Sequence, residues 1–150
     1  MRTDDDHAPL SSGERTAWTT AVVVPLSTAG YLAVVVPRLL SQPVADVAWA
    51  GPMLWSIALT VVGSIVGAIL LAIVSRDHET AQDVRDTQIL RHGDRIALVG
   101  TAVGAVAVLA LAMLEVDPFW IGTTLFVLGA AGTTAGAVAQ LRAYRGSFDG

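Results

Sequence analysis

The chain has 150 residues, of which 53% are hydrophobic and only 15% charged, and its formal net charge is −4. Its mean hydropathy is +0.61, whereas soluble domains carry about 25% charged residues, so an ordinary water-soluble globule is excluded. Cysteine is absent, which removes disulfides, thiolate metal sites and a cysteine nucleophile together.

The opening stretch, MRTDDDHAPL, is acidic where a cleaved secretion signal is positively charged. The expectation is a disordered cytoplasmic tail over 1–15 and a first apolar run retained as a helix. Four runs contain no Asp, Glu, Lys or Arg: Trp18–Val36, Met53–Val74, Ile96–Leu114 and Phe119–Gln140, of 19, 22, 19 and 22 residues. At the helical rise per residue each is roughly 29–33 Å long, the thickness of a hydrocarbon core. Backbone groups in lipid must satisfy one another within the segment, so such runs are helices. The alternating ten-residue segments of a membrane barrel are missing. The class expected is an all-α integral membrane protein with four transmembrane helices in an antiparallel bundle. Its single membrane domain covers 16–145, with spans near 17–37, 52–75, 95–115 and 119–141, and 146–150 form a short tail.

Within the first run, Pro25 removes a backbone donor in mid-span and predicts a kink, while Pro37 is expected to end the helix. Pro52 follows Gly51 at the start of the second helix, where a missing donor costs nothing. Glycines recur at intervals of four at Gly63 and Gly67, at Gly100 and Gly104, and at Gly132 and Gly136. Gly122, Gly129 and Gly136 repeat every seven, and Ser56, Thr60 and Ser64 adjoin the glycines of the second helix. Small residues at such spacing let helix backbones approach closely in lipid. These faces are expected to pack the bundle, with one of them available for a homodimer. The third run leads into a tight turn at Glu115–Pro118.

Orientation follows from the arginines. Arg2, Arg15, Arg76, Arg85, Arg91, Arg95, Arg142 and Arg145 fall on one side of the four runs and only Arg38 on the other. The positive-inside rule then places both termini and the central loop in the cytoplasm. Trp18, Trp49, Trp55 and Trp120 lie near the run boundaries, where indole rings favour the headgroup zone. All nine basic residues are arginine, a composition expected of a GC-rich genome, and the implied location is a bacterial inner (plasma) membrane.

The segment Arg76–Arg95, RDHETAQDVRDTQILRHGDR, breaks the apolar pattern with four arginines, five acidic residues and two histidines. Helical spacing predicts an amphipathic loop helix over about 78–92, with Asp77 or Thr80 starting it and Gly93 as C-cap or hinge. Acidic residues come early and Arg91 late, which suits the helix dipole. The net charge of the segment is −1, so it is neither a polybasic lipid anchor nor a nucleic-acid surface. Asp77, His78, Glu79 and His92 have no recognised metal spacing, and no metal, cofactor or catalytic residue is expected.

The heptapeptide Asp83-Val84-Arg85-Asp86-Thr87-Gln88-Ile89 resembles the Asp-Glu-Arg-Asp-x-x-Ile signature of small prokaryotic multi-span membrane proteins, where it lies in a cytoplasmic loop. Position 84 departs from it, with Val in place of Glu. That family has no established activity to carry over, though some of its genes lie beside small DNA-binding regulators, which implies signalling or sequestration. Charges at this spacing suggest a clasp at the mouth of the bundle, with Arg85 pairing to Asp94 or to another subunit and Asp86 to Arg95, Arg142 or Arg145; Asp83 and Arg91 complete the charged set.

The spans hold no ionisable residue, which transporters and pumps generally need. Nucleotide loops, zinc-binding helices and serine triads are missing as well. The expected function is therefore non-enzymatic: an interaction or regulatory module acting through 76–95 on a cytoplasmic or membrane protein partner. The alternative is a small dimeric transporter or permeation unit for a neutral or weakly polar solute, with its path near Pro25.

Overall fold

A computed structural model describes residues 11–74 and 84–146. Those residues form four long helices: α1 (Ser12–Ser41), α2 (Ala50–Val74), α3 (Val84–Met113) and α4 (Pro118–Arg145), with one 3-10 turn at Val44–Asp46 between α1 and α2. By length and composition each of the four is able to cross a membrane. They contain 25 to 30 residues, or roughly 38–45 Å, so each extends beyond its own charge-free run.

Local chemistry explains where they start and stop. The Ser11 hydroxyl accepts from the Glu14 N–H at 3.2 Å, and Ser11 with Glu14 supplies the two residue types of a capping box. Helix α1 therefore begins at Ser12, inside the stretch expected to be tail. At its other end the Gln42 N–H returns to the Arg38 carbonyl at 3.0 Å. Pro37 lies within α1 rather than ending it. The Asp117 carboxylate caps α4 by accepting from Phe119 N–H at 2.9 Å, with Pro118 at the position where its missing donor is harmless. Helix α3 closes with paired bonds, Val116 N–H to Leu111 O at 3.2 Å and Glu115 N–H to Ala112 O at 3.1 Å. That is the Schellman pattern, and it holds Glu115 at φ 53°.

The helices pack in the spatial order α2, α1, α4, α3. Helices α1 and α4 are central, and α2 and α3 each lie against one of them. Small side chains set the contacts. Along α1–α2, a Cβ placed on Gly63 would meet the Val23 side chain at 3.0 Å, and one on Gly67 would meet that of Thr19 at 2.7 Å. Further along, the Ser27 and Thr60 hydroxyls are 2.5 Å apart. Between α1 and α4, the hydroxyls of Tyr31 and Thr123 are 2.7 Å apart, and the Tyr31 ring meets Phe126 edge-on at 5.1 Å. The α3–α4 seam is the tightest, because there backbone meets backbone. A Cβ on Gly100 would lie 2.5 Å from Gly132 Cα, and one on Gly136 would lie 2.6 Å from Gly93 O.

At the end of the bundle bearing the α1–α2 connection, Tyr31, Val35, Val47 and Phe119 form a buried apolar cluster. Trp49 packs edge-on against Phe119 at 6.4 Å, so the connection is folded down onto the helices. Arg38 pins it by donating to the Ala48 carbonyl at 2.8 Å.

Candidate functional site

The opposite end of the bundle gathers the arginines. Helix α3 enters it twelve residues before the charge-free run, from Val84 to Arg95, about 18 Å of helix. The segment expected to be a separate loop helix with a Gly93 cap is, in its described part, the first turns of α3. The helix passes through Gly93 without interruption. A glycine ends a helix when it can adopt a left-handed conformation there, but no glycine has positive φ among the described residues. Gly93 acts instead by having no side chain: a Cβ there would run into the Gln140 side chain, which reaches across to donate from Nε2 to the Leu90 carbonyl at 3.4 Å.

Three helices meet at this junction. Ile89 is 1% exposed and Gly93 is buried. On α1, Gly13 is buried and lies under the Tyr144 phenol of α4 and the Leu90 side chain of α3. On α4, Leu141 and Ala137 are buried. The Arg145 guanidinium lies 5.1 Å above the Trp18 ring centroid, a cation–π contact between α4 and α1 worth about 0.5–1 kcal/mol where exposed. Apolar packing thus holds the start of α3 in a defined orientation.

The charged residues lie on the outside of this junction. Gln88, Arg91, His92, Asp94, Arg95 and Arg142 are exposed. Asp83 and the side chains of Arg85 and Asp86 lie outside the described residues, as do Asp77, His78 and Glu79, so the clasp and the N-terminal cap of the loop helix fall beyond what is described. Arg145, one expected partner of Asp86, has Trp18 beneath it. Among the described residues no group of three metal-ligating side chains comes together.

The packing glycines divide by position. Gly63, Gly67, Gly100, Gly104, Gly132 and Gly136 each face a neighbouring helix closely enough that a Cβ would meet it within 3.3 Å. Gly129 differs, since a Cβ there would meet nothing within 4 Å; it borders a groove of about 380 Å³ between α1, α2 and α4. Spacing read as a heptad with Gly122 and Gly136 does not register that the Gly129 Cα points into this groove, although α3 still meets α4 at that level through Gly104 and Leu128.

Hydroxyls within the bundle largely bond to nearby backbone or to one another. Thr28 donates to Val24 O at 2.9 Å, Thr60 to Ser56 O at 2.8 Å, Thr133 to Gly129 O at 2.9 Å and Thr134 to Ala130 O at 2.7 Å. Ser11 and Gly93 are the junction residues the sequence reading assigned otherwise. The Ser-x-x-Glu signature at 11–14 was the available signal for the first. For the second, only Gln140, 47 positions later in the chain, explains the glycine.

No family model, curated protein or solved structure matches this chain.

Proposed function

We propose that this protein is a non-enzymatic interaction or regulatory module of a bacterial inner (plasma) membrane, presenting the charged start of α3 to a protein partner. In this reading the four helices form an antiparallel bundle with both termini and the α2–α3 connection in the cytoplasm. Contacts that descend along one helix as they ascend along the next support the bundle: Gly100 with Gly132 then Gly104 with Leu128, and Thr19 with Gly67 then Val23 with Gly63. The eight-to-one arginine distribution supports the orientation.

One observation carries the docking reading. Ile89 and Gly93 are buried, with Leu90 against Gly13 of α1 and Gln140 of α4 over Gly93, while Gln88, Arg91, Asp94 and Arg95 face outward, so the polar face is held by contacts on its reverse side. Such a face loses little conformational freedom when a partner covers it, and preorganisation of this kind favours affinity. Exposed charges contribute on-rate and specificity more than raw affinity, which suits a regulatory contact.

The test is affinity purification of the intact protein from native membranes, wild type against Arg91→Glu/Arg95→Glu. Both side chains are exposed, so thermal stability should stay unchanged while a specific partner is lost. Recovery of the same proteins at the same level by both forms would sink the docking reading.

A permeation unit remains the second reading, supported by the groove that Thr28, Thr60 and Thr133 line between α1, α2 and α4. Against it, each of those hydroxyls already donates to a backbone carbonyl of its own helix. Solute flux into proteoliposomes, blocked by Gly129→Leu, is the outcome that would favour it.

A further inference from the structure

The end of the bundle away from the arginine-rich junction carries a second feature. Between α1 and α2 runs a groove of about 530 Å³, within the roughly 300–1,000 Å³ of small-molecule sites. Its α1 wall is Ser27, Gly30, Tyr31, Val34 and Arg38, one helical face at spacings of three and four. Its α2 wall includes Trp55, Ser56 and Leu59. The groove is open at the side, since Val34, Leu59 and Trp55 are exposed, Trp55 at 79%. A Cβ on Gly30 or Gly51 would meet nothing within 4 Å. These two glycines therefore leave room that no part of the described chain fills.

Two polar groups mark the groove at different depths. Arg38 stands at its membrane-boundary end, on the helix turn next to the α1–α2 connection. It is exposed, and its bond to Ala48 O uses one of five guanidinium N–H donors. Deeper in the groove, Ser56 is 8% exposed. Its carbonyl accepts from Thr60, but among the described residues its hydroxyl has no partner. The residue is buried but its hydroxyl oxygen is not one of the enclosed, unpartnered atoms, so the hydroxyl opens on the groove and can donate to an acceptor supplied from outside. The required ligand has an apolar chain, an anionic oxygen at the membrane boundary and an acceptor deeper in the groove.

We propose that the α1–α2 groove binds one diacyl phospholipid, with its phosphate on Arg38, an ester carbonyl accepting from the Ser56 hydroxyl and an acyl chain lying over Gly30. Arginine presents a fork of donors that matches phosphate oxygens, and the sideways opening admits a ligand from the bilayer rather than from water. Asp46, Glu115 and Asp117 share this end of the protein with the single Arg38. The net field there does not attract anions, so recognition rests on short-range contact with the phosphate. The headgroup beyond the phosphate then matters little, and a phosphatidylethanolamine should bind about as well as a phosphatidylglycerol. The site is independent of the docking reading; the proposed orientation adds only that the lipid comes from the outer leaflet.

Native mass spectrometry of the delipidated full chain in mild detergent, titrated with either phospholipid or with diacylglycerol, tests this. Wild type should hold one phospholipid of either headgroup, and bind diacylglycerol about tenfold more weakly, the equivalent of one charge-assisted hydrogen bond. Arg38→Gln should produce the same loss for the phospholipids. Gly30→Leu should remove binding while helicity and melting stay at wild-type values, because the new side chain enters open space. Ala105→Leu, on the exposed face of α3, should bind as wild type does. Undiminished phospholipid binding by folded Gly30→Leu would overturn the proposal, as would equal affinity for diacylglycerol. A Gly30→Leu protein that changes from dimer to monomer, with no lipid on the wild type, would assign the groove to a second copy and overturn it as well.

Discussion

The α3–α4 seam offers the sharpest test of how this fold is held, through Gly132→Ala. The new Cβ would lie 2.9 Å from Gly100 Cα, 3.2 Å from Gly100 C and 3.3 Å from Ala97 O. Carbon atoms in good contact are about 3.5–4.0 Å apart, so the helices must separate locally by about 0.6–1.1 Å. The obstructing atoms are backbone, and no rotamer change relieves them. A gap of 0.5–1 Å forfeits about a quarter to a half of the dispersion energy across it, and overpacking of this kind costs about 1–3 kcal/mol. Gly129→Ala is the matched control on the same helix, since its Cβ meets nothing within 4 Å. There the better helix propensity of alanine makes the change neutral or stabilising, by at most about 1 kcal/mol. Reversible unfolding in mixed micelles, titrated with sodium dodecyl sulfate and followed by helical circular dichroism, measures both. If the two variants agree within about 0.5 kcal/mol, the scatter expected of exposed positions, close backbone approach does not hold α3 to α4.

Two more substitutions probe different devices. Glu115 occupies the left-handed C′ position of α3 at φ 53°, where a side chain costs about 1–2 kcal/mol. Glu115→Gly removes that cost and adds about 0.5–1 kcal/mol of unfolded-state entropy, so the midpoint of thermal unfolding should rise; a lower midpoint would contradict the strain. Tyr31→Phe breaks the bond to Thr123 and strands a hydroxyl between α1 and α4. A double-mutant cycle with Thr123→Val should give a coupling of about 0.6 kcal/mol and no more than about 1.7, the range for hydrogen bonds between membrane helices. A coupling of zero would mean the 2.7 Å contact contributes nothing to the pairing.

These predictions also show where sequence reasoning loses sight of the molecule. By sequence Pro37 ends the helix, yet α1 continues four residues beyond it to Ser41; a proline fixes its own φ and removes its own donor, but leaves the turns after it free to continue. By sequence Gly93 fits a C-cap or hinge ahead of the third run. What decides its role is Gln140, brought across from α4 to fill the space above it. Gly129 fits a seven-residue repeat as well as Gly136 does, and only the course of α4 relative to its neighbours separates a packing glycine from one that borders a groove. Ser11, expected in the tail, caps α1 instead, and the glutamate three residues later was its signal.

The sequence by itself determined the helical class and the four apolar runs able to cross a membrane. Charge-free runs of 19 to 22 residues admit only hydrogen bonding within the segment, so helix, number and approximate boundaries follow from local chemistry alone. The tertiary structure decided which helices are neighbours, giving the order α2, α1, α4, α3. It also turned the polar segment before the third run into part of one long helix and left an unfilled groove beneath Arg38. Lipid-facing and helix-facing apolar residues are chemically alike, so hydropathy carries no record of which face meets which. That choice rests on where backbones without side chains can approach and on which hydroxyls find one another, quantities that exist only once the helices are side by side.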